Sequence, residues 1–126
     1  MYKEHSHRFS WKARWKSIGY AITGIQTFFR TQHNALIHLY MTILVFIAAI
    51  FFATTVGEMI ALVLAAGFVW AAEIFNTAIE LAMDHFAPAK HRRIKRIKDM
   101  SAAAVLVAAI TAVVTGLIIF IPKIFM

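Results

Sequence analysis

The chain has 126 residues, 61% of them hydrophobic and 15% charged, with thirteen Lys and Arg against six Asp and Glu. That length suits one domain spanning residues 1–126, and the composition is too apolar for a soluble fold of this size. Cysteine is absent, which excludes a disulfide framework and a thiolate metal site and leaves the redox compartment undetermined.

A cationic excess fits either nucleic acid or a membrane surface, and its placement favours the membrane. Lys3, Arg8, Lys12, Arg14, Lys16 and Arg30 precede the first long apolar run, and Lys90, Arg92, Arg93, Lys95, Arg96 and Lys98 lie between the second and third. Only Lys123 is elsewhere, and the short connection Thr54-Thr55-Val56-Gly57 carries no cation. By the positive-inside rule the N-terminus and the basic loop are expected in the cytoplasm, with the short turn and the C-terminus outside. No nucleic-acid partner is expected. A secretory signal peptide is not expected either, because no apolar segment follows closely on the basic N-terminus.

In chain order, residues from about 10 to 31 carry Trp11, Trp15, Ile18, Ile22, Ile25, Phe28 and Phe29 at helical spacing, with Lys12, Arg14, Lys16, Gln26 and Arg30 between them. Tryptophan beside Lys and Arg is the composition of a helix lying in the headgroup plane. Gly19 and Gly24 each cost up to about 1 kcal/mol in a helix, so a break or a close approach is expected there. Gln32-His33-Asn34 forms a polar junction before a first span over about 35–53. At about 1.5 Å per residue that span covers about 30 Å, one hydrocarbon thickness. A second span is expected over about 58–83 and a third over about 101–121, closed by Pro122. Ala102, Ala103, Ala104, Ala108, Ala109, Ala112 and Gly116 give the third span small residues that permit close helix approach in lipid.

The second span carries the chemistry. Glu73, Asn76, Glu80 and Asp84 fall at roughly 0°, 300°, 340° and 20° on a helical wheel, a stripe about 80° wide. Ionised groups in hydrocarbon are costly and usually face a partner, a cavity or a substrate. Glu80 with Asp84 and a neutral oxygen donor can hold Mg²⁺, a hard cation that shares its shell with substrate phosphates. Lys98 supplies a compact positive charge for those phosphates. Glu73, deeper and poorly solvated, suits a general base for a lipid hydroxyl. From spacing alone two other readings stand beside this one: polar residues that hold helices together, and a conduit for protons or cations.

Two motifs narrow the choice. Glu73-Ile-Phe-Asn-Thr-Ala-Ile-Glu80 with Asp84, followed by Lys98-Asp99-Met100-Ser-Ala-Ala, resembles the small prokaryotic diacylglycerol kinase/undecaprenol kinase family. Gly19-Tyr20, Gly24 and Asn34-Ala-Leu-Ile-His38-Leu fit the same pattern, and the likeness covers about residues 9–122. The resemblance implies an all-α membrane protein, a homotrimer with an N-terminal surface helix, three transmembrane helices and active sites shared between neighbours. It implies ATP- and Mg²⁺-dependent phosphorylation of a membrane lipid alcohol at the cytoplasmic face of a bacterial inner membrane. The Asn-Thr-Ala-Ile-Glu wording favours undecaprenol slightly over diacylglycerol. It implies Glu73 as the base, Glu80 as metal ligand, and Asn76, Lys98 and Asp99 as groups that line the nucleotide or support catalysis. Tyr20 and the loop around Lys90 and His91 are implied as nucleotide contacts. One position departs from the pattern: where the family usually has a second metal carboxylate, this chain has Gln32. Its amide oxygen can still coordinate, with one negative charge fewer. That loss keeps open the alternative of a non-catalytic, regulatory or membrane-binding trimeric relative.

Overall fold

The computed structural model describes residues 8–87 and 91–126, and within them the backbone forms four helices with short connecting segments. Helix α1 spans Trp11–Thr31, α2 His33–Phe51, α3 Val56–Phe86 and α4 Arg92–Phe125. Helices α2, α3 and α4 are 19, 31 and 34 residues long and are apolar enough to cross a membrane.

Local chemistry sets the boundaries. Ser10 opens α1 by accepting a hydrogen bond from the Ala13 N–H at 3.4 Å. Gln32, in extended backbone conformation, closes α1 and starts α2. At the other end of α2, Ala53 adopts φ 51°. The turn is closed by the Thr54 N–H and hydroxyl, which both donate to the Ala49 carbonyl at 3.1 Å. Thr55 and Glu58 then form a reciprocal capping box that starts α3. The α1 backbone runs unbroken through Gly19 and Gly24, and a Cβ added at either would meet nothing within 4 Å.

His33 and Asn34, expected in a polar junction, begin α2. Val56 and Gly57, expected in the turn, begin α3, which also runs on to Phe86. The larger differences are in α4. Helix α4 begins at Arg92, so most of the basic segment is its first two turns rather than a loop. It also continues through Pro122 to Phe125. Pro122 removes the N–H that would bond the Ile118 carbonyl and sets its ring against that carbonyl, a local cost to the preceding turn that does not end the helix. The Met126 N–H still reaches the Pro122 carbonyl at 3.1 Å.

The dominant packing is α3 against α4, while α1 and α2 pack on each other and each touches α3. At the end bearing the Thr54–Thr55 turn, Ala49, Leu62 and Ile119 are buried together, flanked by Val45, Phe46, Met59 and Phe120. In lipid such a cluster is held by van der Waals fit, because acyl chains are as apolar as the side chains. Glu58 and Lys123 pair at 3.1 Å beside it. Toward the opposite, basic end, Ala108 of α4 is almost fully buried, whereas Ala102, Ala103 and Ala104 are exposed on the single chain. Helix α1 meets the rest through Phe28 and Phe29, whose rings lie 6.2 and 5.5 Å from Trp70 of α3. The four helices thus converge on the basic half of α3, where its polar residues lie.

Candidate functional site

The acidic stripe of α3 is shared out between two neighbours. Glu73 turns to α2, where its Oε1 lies 2.7 Å from His38 Nε2. Asn76 and Glu80 turn to α4. The buried Ser101 hydroxyl donates to Asn76 Oδ1 at 2.8 Å. The same amide's NH₂ donates to Glu80 Oε1 at 3.3 Å. One turn further, exposed Asp84 pairs with Lys98, which sits three residues before Ser101 on α4. The order along α3 is therefore a half-buried carboxylate paired with a histidine, an amide-tethered carboxylate, and a carboxylate–ammonium pair at the wet end.

This division follows from helix geometry. A step of 100° per residue leaves Glu73 and Glu80 about 20° apart but separates them by about 10 Å of rise, so each reaches a different level of its neighbours. The same step explains Asp99. Adjacent to Lys98, it points about 100° away and pairs with Lys95 at 2.6 Å on the exposed side of α4.

The remaining expected site residues are dispersed. Gln32 lies at the α1–α2 joint, and its side chain donates to Thr31 Oγ1 at 3.4 Å. Tyr20 lines a groove of about 610 Å³ between α1 and α3, with Gly24, Thr27, Phe28, Ile74, Thr77 and Ala78 among its other walls. His91 is the N-cap of α4, its Nδ1 accepting the Arg93 N–H at 3.2 Å. Lys90, with Pro88, falls outside the described residues. The structure thus joins Asn76 with Glu80 and places Lys98 one turn away through Asp84. Gln32, His91 and Asp99 make their side-chain bonds with other partners, and Tyr20 lines the groove that also holds Thr77, Ala78 and Leu81.

Among the described residues no three His, Asp or Glu side chains cluster as a self-sufficient metal cage. The donor set nevertheless suits Mg²⁺. That ion keeps several waters and binds through one or two carboxylates plus substrate phosphates. Glu80 offers one such carboxylate; only its Oε1 is engaged among the described residues. Three residues of the site had no reading as partners in the sequence: His38, Ser101, and Asp84 as the partner of Lys98. The sole signal for His38 was its place in the Asn34–His38 motif.

Such a molecule, with three membrane-length helices around a graded acidic face and a lysine at its rim, is a multi-pass membrane protein with a polar site inside its helix pack. The sequence profile described as prokaryotic diacylglycerol kinase matches residues 19–120. The chain is 32% identical over 117 residues to an undecaprenol kinase of Bacillus subtilis, covering 93% of this chain and 95% of that protein. It is 34% identical over 107 residues to a diacylglycerol kinase of Synechocystis sp., covering 84% of this chain and 61% of that longer protein. The chain belongs to the prokaryotic diacylglycerol kinase family, a family of lipid kinases.

Proposed function

We propose that this chain transfers the γ-phosphoryl group of ATP to the hydroxyl of a membrane lipid alcohol, with undecaprenol favoured over diacylglycerol. The observation that carries the reading is the tether Ser101–Asn76–Glu80 beside the Lys98–Asp84 pair, which sets a carboxylate and an ammonium on adjacent turns of α3 and α4. Near-complete overlap with the undecaprenol kinase supports the choice of lipid, as does the wording Asn76-Thr-Ala-Ile-Glu80.

The division of labour follows from position. Glu73 takes the proton of the lipid hydroxyl as that oxygen bonds to the γ-phosphorus and the bond to ADP breaks. Lys98, already held at the rim, balances phosphate charge. Glu80 and the Gln32 amide oxygen would hold Mg²⁺, which neutralises charge on the phosphates when bound. Asn76 acts here as a positioning group, because both ends of its amide are occupied by protein. Tyr20, His91, Lys90 and Asp99 complete the nucleotide-binding set. The working form is a homotrimer with sites shared between protomers. Its α1 lies on the cytoplasmic face of a bacterial inner membrane, the basic end inside and the C-terminus outside. The open side presented by Ala102, Ala103 and Ala104 supports a shared site, as does the Gln32 side chain bonding Thr31 rather than Glu80 within one chain.

The test is radiolabelled ATP with purified protein in mixed micelles, offering undecaprenol and diacylglycerol in parallel. Label is expected in both lipids and more rapidly in undecaprenol. Label in neither, with folded protein and Mg²⁺ present, overturns the proposal in favour of a non-catalytic relative.

A further inference from the structure

Glu73 has a dedicated partner on the facing helix. An ionised carboxylate has no proton to give, so the 2.7 Å contact with His38 requires the imidazole to carry its proton on Nε2 and donate it to Oε1. Both side chains are largely shielded, at 27% and 13% exposure, and among the described residues no other charged side chain pairs with either. A second cross-link sits beside the first. Thr42 Oγ1 donates to the His38 carbonyl at 2.7 Å and accepts from Trp70 Nε1 at 3.0 Å. Trp70 lies three residues before Glu73, and its ring meets the His38 ring at 6.1 Å, 62° from parallel. The pairs His38–Glu73 and Thr42–Trp70 therefore pin α2 to α3 at two adjacent levels. Ring and carboxylate are held in one mutual orientation.

We propose that His38 is a positioning residue for phosphoryl transfer. By donating to Oε1 it holds the Glu73 carboxylate so that Oε2 is the oxygen left to accept the substrate proton. This rests on the reading of Glu73 as base. In the step, the lipid oxygen bonds to the γ-phosphorus and the bond from that phosphorus to ADP breaks. The bonding pair leaves with ADP, and the hydroxyl proton moves to Oε2. The imidazole keeps its own proton throughout, its bond to Oε1 now directed at the carbonyl oxygen of a neutral acid. A freely rotating carboxylate would offer either oxygen in many directions, and the imidazole removes that freedom before substrate arrives.

Full-length protein in mixed micelles, with initial rates measured over ATP and lipid concentration, separates the possibilities. His38→Leu is expected to lower kcat by about 10- to 100-fold, the scale on which lost orienting contacts act. KM for ATP should stay within about twofold, because Glu73 rather than the nucleotide is disturbed. His38→Gln, whose amide nitrogen can stand where Nε2 stands, should recover most of the rate. His38→Asn, as polar but too short to reach, should resemble His38→Leu and serves in its place if the leucine variant does not fold. Wild-type kcat in the Leu or Asn variant, with Glu73→Gln inactive, overturns the role of His38 and leaves the base reading intact. Equal impairment of the Gln and Asn variants shows that shape rather than the donated bond matters, and also overturns it. Full transfer by Glu73→Gln defeats the base reading and this inference together.

Discussion

Ser101→Ala tests how far the tether between α4 and Glu80 controls the site. The substitution removes the hydroxyl that donates to Asn76 Oδ1 at 2.8 Å, inside a contact where Ser101 is 8% exposed. The Asn76 amide is then free to turn, and its 3.3 Å bond to Glu80 Oε1 loses its anchor. Hydrogen bonds between membrane helices are worth about 0.6 kcal/mol on average and up to about 1.7 kcal/mol. If that energy is lost at the transition state, kcat/KM falls by about 3- to 20-fold. Lipid phosphorylation measured as a function of free Mg²⁺ should show both the slower rate and a higher Mg²⁺ concentration for half-maximal activity, because the carboxylate proposed to meet the ion is less well held. Ser101→Thr retains the hydroxyl and should sit near wild type if its methyl is accommodated. Unchanged rate and Mg²⁺ dependence in Ser101→Ala would refute the idea that this hydrogen-bond chain sets the position of Glu80.

Restoring a carboxylate with Gln32→Glu should lower the Mg²⁺ concentration needed for half-maximal activity or raise turnover, and an unchanged Mg²⁺ titration means this side chain does not touch the ion. Lys98→Met should raise KM for ATP, whereas loss of the exposed pair in Asp84→Asn should change stability by no more than about 1 kcal/mol in a denaturation assay. Ala53→Gly removes the left-handed penalty at φ 51° and should stabilise the α2–α3 turn by about 1 kcal/mol, read as a higher melting temperature with kcat unaltered. Lys123→Met, which leaves Glu58 unpaired at the end remote from the site, should lower the melting temperature while KM for ATP stays at the wild-type value.

Periodicity and composition made the helices legible, because a 100° step and an unbroken apolar run are local properties of the chain. The turn between the first two spans was readable from Thr54 and Thr55, whereas Gly57, read as its end, lies inside α3. The expected stop at Pro122 was not realised: the ring strains the turn before it, but the residues after it keep their N–H groups and complete one more turn. Glu73, Asn76, Glu80 and Asp84 were readable as one face of a helix. What that face meets was not. His38 is 35 residues from Glu73, Ser101 is 25 from Asn76, and Lys123 is 65 from Glu58. Such pairings depend on the register of one helix against another, and no spacing within a single helix encodes it. Lys98-Asp99 shows the same limit at short range. Adjacent in sequence and read as one unit, they part on the helix surface, one toward Asp84 and the other toward Lys95.

The central claim is that an acidic side chain is kept within the helix pack because it strips the proton from a lipid alcohol during transfer. Glu73→Gln keeps the shape of that side chain and can still meet His38, but it cannot accept the proton. ATP binding by the purified variant, measured alongside transfer of labelled phosphate to undecaprenol, should be close to wild type while transfer falls by about 10²- to 10⁴-fold. Transfer within a few-fold of wild type would contradict the account.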